Sequence, residues 1–279
     1  MRPGGLLRIV RPVNALVSGG SVVLAYLIAT GTIQPAVWIP ALVVVLVTGA
    51  GNTINDYFDR EIDRVNRPDR PIPSGRVVPG EAAGFAVLLF AAGIVLSFWT
   101  NVYCMVIAVA NSCLLVLYAA RIKRTPLLGN AAIAYLSASI FLFGGAFAGL
   151  DGIVQTLPLI GITFLAMLSR ELLKDAEDVE GDTAGGARTL PMVIGVRWTT
   201  VVAAICAAGA VAASLAPVGS WWGPVYLAGI VVADLIILAA ALRAIRCTSP
   251  ACVRHSRATD ILKGGMFVAL LVFAVAAVV

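Results

Sequence analysis

The chain has 279 residues, 60% of them hydrophobic and 13% charged, with a mean hydropathy of +0.95. This excludes an ordinary soluble domain, in which about 25% of residues are charged, and marks an integral membrane protein. The net charge of +5 does not call for nucleic acid, because membrane topology already accounts for where the basic residues lie.

Nine apolar runs are long enough to cross a hydrocarbon core of about 30 Å as helices. They cover residues 13–31, 36–58, 80–98, 101–119, 127–149, 154–175, 197–217, 223–242 and 261–278. The expected fold is an all-α integral membrane protein, with nine transmembrane helices bundled around a central cavity in a single domain covering residues 1–279. Arg2, Arg8 and Arg11 precede a first run that continues the alternating topology, so it reads as a span and not as a secretory signal. The joints GTIQP, TN near residue 100, DGIVQ and APVGSWWGP carry no Lys or Arg, and all 20 basic residues lie on the opposite side, in the N-terminal segment, the other four joints or the run ends that adjoin them. By the positive-inside rule the basic side is cytoplasmic, with the N-terminus inside and the C-terminus outside.

The second run ends in NDYFDREID, residues 55–63, and flows into RVNRPDRPIPSGRVVPG. Proline and arginine are dense in that loop and resist simple helix extension, so an ordered lid is expected. Cys104, Cys113 and Cys206 lie within apolar runs, where free cysteine behaves as a small hydrophobe. Gly145 and Gly149 form a small-xxx-small pair suited to helix packing. The sixth run ends in RELLKDAEDVEGD, residues 170–182, followed by GDTAGGARTLP, which is suited to close over the same cavity. Two acidic motifs four helices apart suggest an old duplication. Trp221 and Trp222 read as interfacial anchors on the outer face, while Asp234, inside the eighth run, suits either a structural hydrogen bond or a functional role. Cys247, Cys252 and His255 offer three metal ligands at an unusual spacing, so neither a zinc site nor a disulfide framework is expected there.

Carboxylates beside a bilayer usually mark a functional cavity. At about 100° per residue, Asn55, Asp59 and Asp63 drift by about 40° at each step and form one polar stripe, with Asp56 about 100° from Asn55. Glu171, Asp175, Asp178 and Asp182 fall within about 60° of one another, while Glu177 and Glu180 point away into solvent. Pairing with Arg60, Arg64, Arg170 and Lys174 is the plain structural alternative. Stacked like charges gain little unless cations bridge them, and oxygen-only donors suit Mg²⁺. Neighbouring arginines and lysines favour a phosphate or diphosphate. A prenyl diphosphate is both anionic and membrane-soluble, and a metal-neutralised diphosphate is a good allylic leaving group.

Asn55 to Asp63 resembles the NDxxDxxxD motif of the UbiA-type intramembrane prenyltransferases, and Arg67, Pro68, Arg70, Pro71 and Gly75 resemble that family's RPxRPxxxG loop. Within the family, RPVN at residues 11–14, KRTPLLGN at 123–130, and RELLKDAEDVEGD with GARTLP look most like the archaeal digeranylgeranylglyceryl phosphate synthases. The resemblance implies Mg²⁺-dependent transfer of geranylgeranyl from its diphosphate to the hydroxyl of geranylgeranylglyceryl phosphate, forming the second ether bond of archaeal lipids. It implies Asn55, Asp59, Asp63, Asp175, Asp178 and Asp182 as holders of Mg²⁺ and diphosphate. Arg67, Arg70, Lys123 and Arg124 are candidates for the diphosphate, and Arg11, Asn14, Lys174 and Arg188 for the acceptor. The expected partners are a prenyl diphosphate, a lipid-like phosphate acceptor and membrane lipids, with no obligate protein partner. An aromatic quinone precursor or a chlorophyllide is the alternative acceptor. An ion or lipid transporter is more distant, because the acidic stripes reach only one face. A CDP-alcohol phosphotransferase ranks low because DGxxAR is absent around both motifs.

Overall fold

The structure is a computed structural model that describes residues 3–218 and 222–278. Arg2 and Trp221, both given places above, lie outside the described residues. Eleven α-helices occur among those described: α1 (Pro3–Ile9), α2 (Pro12–Thr30), α3 (Trp38–Asn66), α4 (Pro79–Ser97), α5 (Val102–Ala120), α6 (Leu128–Phe147), α7 (Leu150–Ala184), α8 (Leu190–Ser214), α9 (Pro224–Ala244), α10 (Pro250–Ser256) and α11 (Ala258–Ala276). Nine of them, all except α1 and α10, are long and apolar enough to cross a membrane. The chain is a multi-pass membrane protein.

The runs expected to end at 58 and 175 continue as helix to Asn66 and Ala184. Apolar length measures lipid thickness, whereas helix length also depends on good helix formers and on (i, i+3) pairs such as Glu61–Arg64, at 2.8 Å. Both acidic motifs therefore ride on rigid helix. At Gly195 (φ 83°), α8 is interrupted by a conformation open to glycine, two residues before the start of the apolar run expected at 197.

Packing divides the chain, read above as one domain, into two compact units: Met1–Ile122 with Ile140–Thr156, and Lys123–Ser139 with Leu157–Val279. In the first unit α3 is central, packed by α2, α4 and α5 around buried Val22, Val43, Phe90 and Phe143. A Cβ on Gly145 would overlap the Thr156 hydroxyl and the Gly152 carbonyl, as expected of a close-packing position. Gly149 departs from that expectation. At φ +97° it forms the turn between α6 and α7, with open space around it.

In the second unit α9 packs on α8, α10 and α11, and Leu172 and Leu173 of α7 share a buried cluster with Ala203, Ala240 and Leu262. Asp234 is a hydrogen-bonding residue here. Its Oδ2 accepts from Ser214 Oγ at 2.7 Å, while Tyr226 donates to the Ser214 carbonyl at 2.7 Å. Trp222 is half-buried against Tyr226, with ring centroids 4.6 Å apart, and Phe273, at 5.9 Å. It is thus packed on protein and is not a plain interfacial anchor.

Cys247 and Cys252 form a disulfide, contrary to expectation. The joint is not an extended loop. Ser249 Oγ caps α10 by accepting from the Cys252 amide at 3.3 Å, and the resulting turn brings the two Cα atoms to 5.4 Å, within bridging range. Glu177 and Glu180 are also not simply solvated. Thr259 donates to the Glu177 carboxylate, and Arg254 donates to the Glu177 carbonyl at 2.6 Å and pairs with Glu180 at 3.1 Å. These bonds tie α10 and α11 to α7.

Candidate active site

The first unit gathers basic and acidic groups where α1, the α1–α2 turn and the lid meet α3. Asn52, Asp56 and Asp63 lie within about 40° of one another around α3, so they share a face. Asn52 Nδ2 donates to the Val10 carbonyl at 3.0 Å. One turn on, Asp56 Oδ1 accepts from Arg11 Nη2 at 2.6 Å and from Arg70 Nη1 at 3.1 Å. Arg70 Nη1 also donates to Asp63 Oδ2 at 2.6 Å. Both carboxylates are buried, at 3% and 5% exposure, so their charge is matched by guanidinium groups rather than by water.

This changes the expected stripe. Asn55 Nδ2 donates to Asp59 Oδ2 at 2.9 Å, whereas Asp63 joins Asp56, which lies only about 20° away around the helix. Asp56 stands in the motif as a residue of consequence that the phase argument set aside. The spacing of seven from Asp63 was the available signal.

The lid is ordered, as its composition predicts. Turn bonds run from Arg70 N to Arg67 O, from Ser74 N to Arg70 O and from Gly75 N to Ile72 O, each 3.0 Å, and Ile72 and Val77 bury against Ile9 of α1. Gly5 of α1 sits where a Cβ would press on the Arg76 carbonyl and the Val77 side chain, each at 2.9 Å. Arg11 links α1 to α2 in the left-handed region, at φ 52°, which is uncommon for a residue other than glycine and is held here by the Asp56 bond. The result is a cleft of about 410 Å³ lined by Arg8, Arg11, Asp56, Arg67, Asp69 and Arg70, together with Pro68 and Pro71. Asn14 is exposed and is not part of that lining.

In the second unit, Asn130 of the KRTPLLGN segment donates from Nδ2 to Asp175 Oδ2 at 2.8 Å. Asn130 is buried, and it orients a carboxylate whose partner the sequence did not reveal. The Arg188 amide donates to the Arg124 carbonyl at 3.0 Å, so the two loops carrying these candidate residues lie side by side. Both side chains are exposed, as is Asp178, while Lys123, Lys174 and Asp182 are partly exposed. Arg170 is bonded to Glu171, so that carboxylate of the expected convergence already has a cation partner. Glu61, in the first motif, takes Arg64 and, at 3.5 Å, Arg60.

Among the described residues no three His, Cys, Asp or Glu side chains gather closely enough to hold a metal ion. The donors that the motifs do present are carboxylate and amide oxygens. They suit an ion such as Mg²⁺, which takes one or two carboxylates and completes its shell with substrate phosphate oxygens and water.

The chain matches the family model for the UbiA prenyltransferase family over residues 16–277. It is 57% identical over 279 residues to the digeranylgeranylglyceryl phosphate synthase of Methanoculleus marisnigri, covering 100% of both chains. A solved structure from work on digeranylgeranylglyceryl phosphate synthase in membranes is 33% identical, with a TM-score of 0.85 over 99% of each chain. A UbiA homolog from Archaeoglobus fulgidus bound to GPP and Mg²⁺ shares the fold at a TM-score of 0.59 and 18% identity, covering 95% of this chain and 99% of that one. With matches spanning both units and both acidic motifs, this chain belongs to the UbiA prenyltransferase family.

Proposed function

We propose that the protein transfers a geranylgeranyl group from geranylgeranyl diphosphate to the free hydroxyl of geranylgeranylglyceryl phosphate, at the cytoplasmic face of the membrane. The observation that carries this reading is the arginine-lined cleft fixed beside the first acidic motif, at the end of a membrane-spanning helix. Arg67 and Arg70 of that cleft suit the donor diphosphate with any acceptor, and Arg8 and Arg11 add basic groups beside them that suit an acceptor bearing a phosphate. Full-length identity of 57% to a digeranylgeranylglyceryl phosphate synthase supports the same substrate pair. A transporter is disfavoured because the acidic motifs lie at one end of their helices, α3 and α7, and do not continue along the membrane-spanning parts.

Asn55, Asp59 and Asp63 of the first motif and Asp175, Asp178 and Asp182 of the second are the residues that would hold Mg²⁺. Bound Mg²⁺ would neutralise charge on the departing diphosphate. Arg67 and Arg70 of the first unit and Lys123 and Arg124 of the second offer guanidinium and ammonium donors to phosphate oxygens, and Arg11 in the first unit and Lys174 and Arg188 in the second are the candidates for the acceptor. Asn130 holds Asp175 in a fixed orientation, and the Asp56–Arg70–Asp63 bonds hold the lid on α3. The bond from C1 of the prenyl group to the diphosphate breaks as the bond from C1 to the acceptor oxygen forms. Diphosphate leaves with the electron pair, and the hydroxyl proton passes to the departing diphosphate or to an aspartate carboxylate.

The test is a panel of glyceryl-phosphate and aromatic acceptors with labelled geranylgeranyl diphosphate, resolved by product mass, with and without Mg²⁺. A Mg²⁺-dependent ether product with geranylgeranylglyceryl phosphate is expected. Transfer only to aromatic acceptors, or none at all, would refute the assignment.

A further inference from the structure

The cleft formed by α1, the α1–α2 turn and the lid is more than a basic patch. Its lining presents four guanidinium groups and two carboxylates, Asp56 and Asp69, and Asp63 neutralises Arg70 from behind, leaving one positive charge in excess. Two of the four are already committed, since Arg11 and Arg70 share the buried Asp56. Arg8 and Arg67 have no carboxylate partner among the described residues, and both are exposed at the rim. Arg8 is carried on a separate short helix anchored by Ile9, which is fully buried against Ile72, Val77 and Ala82. The N-terminal segment is therefore a built wall of the cleft and not a loose charged flank.

The oxygen pair Asn55–Asp59 lies on a different face of α3, turned by about 60° from the face carrying Asn52, Asp56 and Asp63. One face thus offers oxygens to a cation, and the neighbouring face offers guanidinium groups to an anion without needing a metal. A phosphate monoester carries a charge of about −1.5 to −2 near neutral pH, which the two guanidinium groups without carboxylate partners, Arg8 and Arg67, are placed to meet.

We propose that this cleft is a metal-independent phosphomonoester subsite for the acceptor's glyceryl phosphate. Arg8 and Arg11 contact the phosphate, and Asp56 acts as a positioning residue that fixes Arg11 and Arg70. This rests on the reading that the acceptor carries a phosphate. Arg8 is the new recognition residue, and Asp56 serves the arginines rather than a metal, because the Arg11 and Arg70 bonds converge on one oxygen, Oδ1, of a carboxylate that is 3% exposed.

The experiment measures steady-state kinetics of the full chain in detergent or liposomes, varying donor and acceptor separately. In Arg8→Gln and Arg11→Gln the KM for geranylgeranylglyceryl phosphate is expected to rise about tenfold, the loss of roughly one charge-assisted contact, with the donor KM within about twofold of wild type. Glycerol phosphate is expected to inhibit the wild type competitively against acceptor but not against donor, and more weakly in both variants. Asp56→Asn should raise the acceptor KM far more than it lowers kcat, and Asp56→Asn with Arg11→Gln should cost little more than either change alone. Asp56→Glu should recover part of the loss. If Arg8→Gln and Arg11→Gln raise the donor KM and leave the acceptor KM alone, the subsite belongs to the diphosphate. The proposal is then overturned while the transferase reading stands. Absence of wild-type transfer to any phosphate-bearing acceptor overturns both.

Discussion

Replacing Arg70 by alanine removes the group that joins the lid to α3. Its side chain is 18% exposed and donates to two carboxylates, Asp56 and Asp63, whose side chains are 4% and 7% exposed. Breaking a buried pair by deleting one partner costs about 3 to 5 kcal/mol, because the remaining charge is stranded. Asp56 retains Arg11 at 2.6 Å, so only Asp63 is left without its charge partner. The lower end of that range, about 3 kcal/mol, is therefore expected, which for a chain of this size lowers the midpoint of thermal unfolding by roughly 6 to 12 °C. Tryptophan fluorescence during a thermal scan in detergent measures the midpoint. Limited trypsin digestion measures the lid, because the bond between Arg76 and the buried Val77 becomes cleavable once the lid lifts from α3, whereas the Arg67–Pro68 and Arg70–Pro71 bonds resist trypsin throughout. An unchanged midpoint together with an unchanged cleavage rate would refute the account of Arg70 as the bond holding lid to helix.

Asp59→Ala and Asp178→Ala are each expected to abolish product formation while the protein still inserts and elutes as a folded species. Near wild-type turnover in both would make the acidic motifs structural. Gly145→Ala should destabilise by about 1 to 3 kcal/mol through overpacking against Thr156 and Gly152, and Gly145→Leu more so, whereas Gly84→Ala, at a helical site with open space around it, should be neutral. The ordering of their melting midpoints checks this. Of the five cysteines, Cys247 and Cys252 should resist maleimide in denaturant until a reductant is added, leaving three thiols reactive beforehand. Five reactive thiols without reductant would mean that the bridge does not form in the isolated protein.

Much of the molecule is legible in its sequence because a bilayer imposes a simple rule. Backbone polar groups must be satisfied within a span, so apolar runs become helices, and nine runs are found as nine helices among the described residues. Acidic motifs at the ends of the second and sixth runs, and a proline- and arginine-rich lid after the first of them, follow from residue chemistry alone. Helical phase was legible too, but only for residues that answer to one helix. Phase set Asp63 on a stripe with Asn55 and Asp59 but did not show that Arg70 reaches it from outside α3, and Glu177 and Glu180 read as solvated because Arg254 and Thr259 lie more than seventy residues away.

Composition, topology, the oxygen-rich motifs and the basic lid were thus determined by local sequence, where each residue's environment follows from lipid, water and helical period. Which carboxylate faces which cation was decided only by the tertiary structure. Arg11 reaches Asp56 across 45 positions and Asn130 reaches Asp175 across another 45. Cys247 meets Cys252 because the cap of α10 turns the chain back on itself. A charge close to a membrane takes whichever partner packing brings within about 3 Å, and separation along the chain does not encode that distance.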